Sequence, residues 1–156
     1  MASQAWIEHW SYQVSNLASL PPVEDMDDPS CMTGPAWQRR LRRLITRPSV
    51  DCCWYHAVDW HGVSETAIRL ADAAQTAGIA VPDVAEYADT HPLTRRLGSR
   101  DVEALDSLLS INTGLMIDDD DPQDRQISEG RHRITAMRDT HVRRTLLLRL
   151  ELLDHQ

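Results

Sequence analysis

Lysine and phenylalanine are absent from this chain of 156 residues, so its 16 basic residues are all arginine. That usage points to a GC-rich, actinobacterial coding sequence and carries no consequence for folding. No apolar run approaches the roughly 20 residues that cross a bilayer, so no membrane partner is expected. The opening MASQAWIEHW has neither a basic start nor an apolar run, so no secretory signal is read there. The expectation is a soluble, cytoplasmic bacterial protein. Cysteine is scarce: Cys31, Cys52 and Cys53. An odd number with two adjacent makes a poor disulfide framework and suits a reducing compartment. Basic charge is also in deficit. Against 24 acidic residues the formal net charge is −8, which disfavours nucleic acid held by the whole surface while allowing a local basic patch.

What is present suggests one domain, residues 1–156, long enough for a buried core. Residues 1–63 form a Trp-rich helical part, 64–98 a helical part and 99–156 an α+β unit. Residues 4–20 read as a helix, because Trp6, Trp10, Val14 and Leu17 recur at three- or four-residue steps. Pro21-Pro22 would end it. An acidic loop with Glu24, Asp25, Asp27 and Asp28 follows. A second helix starts near Pro35, with Trp37, Leu41 and Leu44 as its apolar stripe. Arg39, Arg40, Arg42, Arg43 and Arg47 cover the rest; pairing with the acidic loops at 24–28 and 118–121 is favoured over phosphate-backbone binding. All five tryptophans lie in the first 60 residues, and an aromatic core layer is expected there.

Residues 50–58 fit a buried strand or a helix. Cys52, Cys53, His56 and His61 are close enough in sequence to raise a zinc question, with a fourth ligand to be sought in His9 or Cys31. The spacing matches no familiar zinc pattern, so the residues are read as a buried thiol pair and no metal is assigned. Ser64 is the expected N-cap of the helix ETAIRLADAAQTA, with Gly78 after its end. A short helix is placed after Pro82, broken at His91-Pro92. Ser99 caps the next, with Val102, Leu105 and Leu109 buried and Gly114 closing it. Leu115-Met116-Ile117 reads as a strand, and Asp118 to Asp121 as a solvated acidic turn.

The sharpest stretch runs from Arg125 to Glu151. Arg125 to Ser128 is extended, Glu129-Gly130 a turn, His132 to Thr140 helical and Thr145 to Leu150 a strand. A glycine turn feeding a helix leaves free N–H groups at the positive end of the helix dipole, an arrangement that takes anions. The open alternative is a packed α+β unit with a solvated basic turn. The motif Glu129-Gly130-Arg131-His132-Arg133, with Ala136 in the helix and Thr145-Leu146-Leu147-Leu148 after it, resembles the ParB/sulfiredoxin-like superfamily over roughly residues 99–151. The lead-in SRDVEALDSLLSINTGLMI is similar to that family's helix, glycine and strand.

The resemblance implies an α+β fold in which the helix-rich N-terminal half packs on a small mixed sheet, with Gly130 and Arg133 on nucleotide phosphates. Family members include CTP-binding partition proteins, sulfiredoxins and amino-acid kinases. Three departures narrow it. Arg131 stands where sulfiredoxins place a catalytic cysteine. His132-Arg133 replaces the paired arginines of partition proteins. The chain ends at Gln156, where those proteins continue into a helix-turn-helix domain.

The expected function is binding of a nucleotide (ATP or CTP) or phosphorylated small molecule by Gly130, Arg131, His132 and Arg133. If NTP hydrolysis or phosphoryl transfer accompanied it, Glu129 and His132 would be the catalytic groups and Mg²⁺ would be held by Asp118 to Asp121. The alternative is a non-enzymatic regulatory or protein-interaction protein on the same scaffold. DNA binding through the Arg39–Arg47 helix ranks third.

Overall fold

The computed structural model describes residues 6–24, 26–45 and 52–154. Residues 4–5, Asp25, Arg47 and residues 50–51 of the readings above lie outside the described residues. The order is β1 (Trp6–Asn16), α1 (Ala36–Ile45), α2 (Trp54–Ala57), α3 (Trp60–Thr76), α4 (Val84–Asp89), α5 (Ser99–Leu109), β2 (Met116–Asp118), β3 (Gln126–Glu129), α6 (Arg131–Asp139) and β4 (Arg144–Asp154). The class is α+β. In place of the expected mixed sheet there are two antiparallel pairs, β1 with β4 and β2 with β3. A Leu148 N–H to Leu115 O bond of 2.8 Å ties β4 to the residue before β2.

The first element corrects the helix expected over residues 4–20. It is a strand, with Trp10 opposite Leu150, Tyr12 opposite Leu148 and Val14 opposite Leu146. The reason lies in the spacing: steps of four fit one face of a helix but are also multiples of two, so Trp6, Trp10 and Val14 share one face of a strand as well. Tryptophan, tyrosine, isoleucine and valine favour the pleated surface, and the leucines of β4 supply the cross-strand partners. The expected aromatic core layer also fails. Trp60 is buried, but Trp6 and Trp37 are more than half exposed.

Of the residues read as strand or helix, 52–58 contain the single turn α2, and α3 starts earlier than Ser64. Its N-cap is Asp59, whose carboxylate accepts from the Gly62 N–H at 3.2 Å. Ser64 is buried, and its hydroxyl meets Thr145 Oγ1 at 3.3 Å. Ala67 and Ala74 are buried, as are Leu105, Leu108 and Leu109 of α5. Tyr12 on β1 donates its hydroxyl to the Leu109 carbonyl. Burial pushes this phenol above its ordinary value.

At the turn into α6, Gly130 has φ of 93°, in the left-handed region. A Cβ there would lie 2.2 Å from Leu115 Cδ2. Backbone strain and the clash act together, so Gly130→Ala is expected to lower unfolding stability by at least about 1–3 kcal/mol. Urea unfolding checks this; an unchanged midpoint would contradict the turn described here.

Candidate functional site

Helix α6 begins within the sequence-derived site, at Arg131, and carries three of the site residues, Arg131, His132 and Arg133. Three of its charged side chains, Arg133, Arg138 and Asp139, run inward. Arg133 is 6% exposed. Its Nη1 donates to Ser107 O at 2.6 Å and Ser107 Oγ at 3.2 Å, and its Nη2 to Thr113 O at 2.5 Å. Glu129 Oε1 stands 3.6 Å from Nη2. Burial lowers the affinity of this guanidinium for its proton, while the charges of Glu129 and Tyr55 work the other way. The carbonyls it satisfies belong to the last turn of α5 and the loop beyond, where helical acceptors have no partner of their own. The arginine expected to clamp a phosphate is therefore a bracket between α5 and α6.

The other motif residues separate. His132 stacks on Tyr55, with ring centroids 5.1 Å apart, and its Nε2 lies 2.8 Å from Asp28 O. Glu129 is half exposed. Arg131 is exposed. The first helical bond of α6 runs from Ile134 N to Gly130 O at 3.0 Å. In the acidic turn, Asp119 pairs with Arg149 at 2.6 Å. Asp118 and Asp121 accept backbone N–H groups of their own turn.

The far end of α6 carries what the sequence did not reveal. Arg138 Nη2 donates to Leu17 O, Leu20 O and Pro21 O at 3.2, 2.9 and 3.0 Å. Asp139 accepts from Arg39 Nε at 3.3 Å and faces His56 Nε2 at 2.9 Å, all three side chains being nearly buried. Burial works to raise the Asp139 carboxyl, but the His56 hydrogen bond and the Arg39 charge together hold it below the ordinary carboxylate value. Two of the α1 arginines thus find Asp139 and loop carbonyls: Arg39 also donates to Gly34 O, and Arg42 to Ser30 O and Thr33 O.

Beside this end of α6 lies a cavity of about 850 Å³, a size suited to a small-molecule ligand. Leu17, Leu20, Met26, Met32 and Val142 give it an apolar floor. Arg39, Arg40, Arg138 and Arg143 bring positive charge, against Asp139 and Glu24, and His141 adds an imidazole to the lining. Arg40 and Arg143 are exposed. Glu129 to Arg133 do not line it.

On the other side of Asp139, the cysteines come together. Cys31, Cys52, Cys53 and His56 place their ligand atoms within 4.8 Å of one another. Of the two candidates for a fourth member, Cys31 is the one that joins. His9 sits on β1 opposite Glu151, and His61 Nε2 lies 2.7 Å from Thr140 O. The thiol pair expected to be buried is only partly so, and it belongs to a group of three thiols and an imidazole. Burial, then the neighbouring Cys52 and Cys53 thiols, push the Cys31 thiol up to about 12. The sequence named all four residues, but the long gap between Cys31 and Cys52 fits no familiar pattern and left them unassigned. The local signal of the cluster was the Cys52-Cys53-x-x-His56 segment.

No helix among the described residues is long and apolar enough to cross a membrane. Comparison with known proteins places the chain in no family: no family model, curated protein or solved structure matches it.

Replacing Arg133 by alanine would take the guanidinium donor from the Thr113 carbonyl and leave the Ser107 carbonyl with only the Thr113 hydroxyl at 3.2 Å. An unpaired buried acceptor costs about 1–3 kcal/mol, so Arg133→Ala should destabilise the fold by a few kcal/mol. Arg133→Lys, lacking the fork, should recover only part of the loss. Thermal unfolding of both variants checks this, and native-like stability of Arg133→Ala would contradict it.

Proposed function

We propose that this chain binds a small anionic ligand with an apolar body, a nucleotide or a phosphorylated small molecule, in the cavity between α1, α6 and the start of β4. The observation that carries the reading is charge placement. In a chain of net charge −8, four arginines and a histidine line one ligand-sized recess. Arg39 and Arg138 are held in place by Asp139 and by backbone carbonyls, while Arg40 and Arg143 are left to meet phosphate or carboxylate oxygens. The apolar floor would take a base or ring. The order β3, Gly130, α6, β4 supports the resemblance to ParB/sulfiredoxin-like proteins, some of which bind nucleotides. Asp139, the buried carboxylate of the recess, is engaged by His56 and Arg39, so the reading is of binding, in a regulatory or interaction role, rather than of hydrolysis.

A second reading keeps the anion at the EGRHR turn. The N–H groups of Arg131, His132 and Arg133 precede the first helical bond of α6, and the Arg131 side chain is exposed beside them. Gly130, Arg131 and these amides would then hold the phosphate without the Arg133 guanidinium.

Calorimetric titration with ATP, CTP, ADP and inorganic phosphate, with and without Mg²⁺, separates the two. Binding in the recess should weaken about tenfold, or about 1.4 kcal/mol, in each of Arg40→Ala and Arg143→Ala, and be insensitive to Arg131→Ala. The reverse pattern selects the turn. No heat with any of the four anions rejects both.

A further inference from the structure

We infer that Cys31, Cys52, Cys53 and His56 form a mononuclear, structural zinc site, oriented by Asp139. The inference stands independently of the ligand reading above.

The geometry comes first. In a tetrahedral zinc centre, metal–sulfur bonds of about 2.3 Å and metal–nitrogen bonds of about 2.0 Å place neighbouring ligand atoms about 3.5–3.8 Å apart. His56 Nδ1 lies 3.3 Å from Cys53 Sγ and 3.7 Å from Cys52 Sγ. All four ligand atoms fall within 4.8 Å of one another. A single ion fits that spacing. An iron–sulfur cluster would not, because its inorganic core holds the cysteine sulfurs much further apart.

The histidine is prepared for the task. Its Nε2 faces Asp139 Oδ2 at 2.9 Å, in a pair 2% and 3% exposed. An ionised carboxylate only accepts hydrogen bonds, so Nε2 is the donor of this pair and Nδ1 is the ring atom that faces the sulfurs, free to ligate in the neutral imidazole. A carboxylate behind a metal-binding imidazole fixes its tautomer and raises its basicity. Arg39 holds the other carboxylate oxygen at 3.3 Å, so the support extends one residue further out. The Cys53 sulfur also accepts the His56 backbone N–H at 3.3 Å, which would offset part of the charge of a metal-bound thiolate.

The donor set selects the ion. Three thiolates and one imidazole suit zinc, and they disfavour magnesium and calcium, which take oxygen ligands. Four protein ligands complete the tetrahedron and leave no open position, so the site would be structural rather than catalytic. It would join three distant segments: the turn Ser30–Met32, the start of α2 and, through Asp139, the end of α6. A disulfide between two of the sulfurs is the competing chemistry. It would leave the third thiol and the aimed imidazole nitrogen without a role.

The test uses the full chain, purified under reducing conditions with neither metal nor chelator added. Elemental analysis should give one zinc per chain. Replacement by Co²⁺ should produce the visible bands of tetrahedral cobalt together with sulfur-to-cobalt charge transfer. Cys53→Ser should lose much of the charge-transfer intensity. Asp139→Asn should keep the tetrahedral bands while binding the metal about 10–100-fold more weakly. The wild-type cobalt titration decides the matter even if the cysteine variants do not fold. Substoichiometric zinc with no tetrahedral cobalt spectrum would overturn the inference. So would intact mass showing Cys31 in a disulfide under the same reducing conditions.

Discussion

The Arg133 guanidinium lies where α5 ends and α6 begins, and the arrangement of the C-terminal unit depends on it. Its Nη atoms meet Ser107 O, Ser107 Oγ and Thr113 O. These acceptors lie at and just beyond a helix end, where carbonyls have no intrahelical donor, and the Thr113 hydroxyl is the other side chain that reaches Ser107 O. A buried cation is tolerable only when so surrounded. The same device recurs one turn and a half along α6, where Arg138 gathers the carbonyls of Leu17, Leu20 and Pro21. Helix α6 is therefore held by apolar contacts through Ile134, Ala136 and Met137, all fully buried, and by charged brackets reaching α5, the segment after β1, α1 and α2.

This account changes what the arginine-rich motif means. A fork that can grip a phosphate can equally grip backbone carbonyls, since both present oxygen acceptors to planar N–H donors. The inward turn of Arg133 moves the positive charge open to a ligand to Arg131 at one end of α6, and to Arg40 and Arg143 at the other. Asp139 joins the second end to the cysteine cluster. It lines the recess and, on its other oxygen, orients His56. A metal at the cysteines would thus stiffen a wall of the recess.

Much of the C-terminal unit was legible in the sequence because its signals are local. Gly130 reads as a turn since only glycine takes a φ of 93° freely, and the β-branched and leucine run at 145–150 reads as a strand. The first strand was not legible, because tryptophans four apart satisfy both periods and only pairing with β4 decides between them. Arg133 was legible as important but not in direction, which depends on acceptors at Ser107 and Thr113 far back in the chain. The metal-ligand geometry needed the fold to bring Cys31 to Cys53-x-x-His56, and pattern matching within a short window does not supply that.

The most direct test of the account is nitrogen-15 NMR of the Arg133 guanidinium during titration with ATP. A bracket between α5 and α6 predicts restricted rotation, separate Nη signals protected from solvent exchange, and no shift as ATP is added. A single averaged Nη signal that moves with ATP would show Arg133 to be a solvent-facing phosphate clamp and would contradict the account.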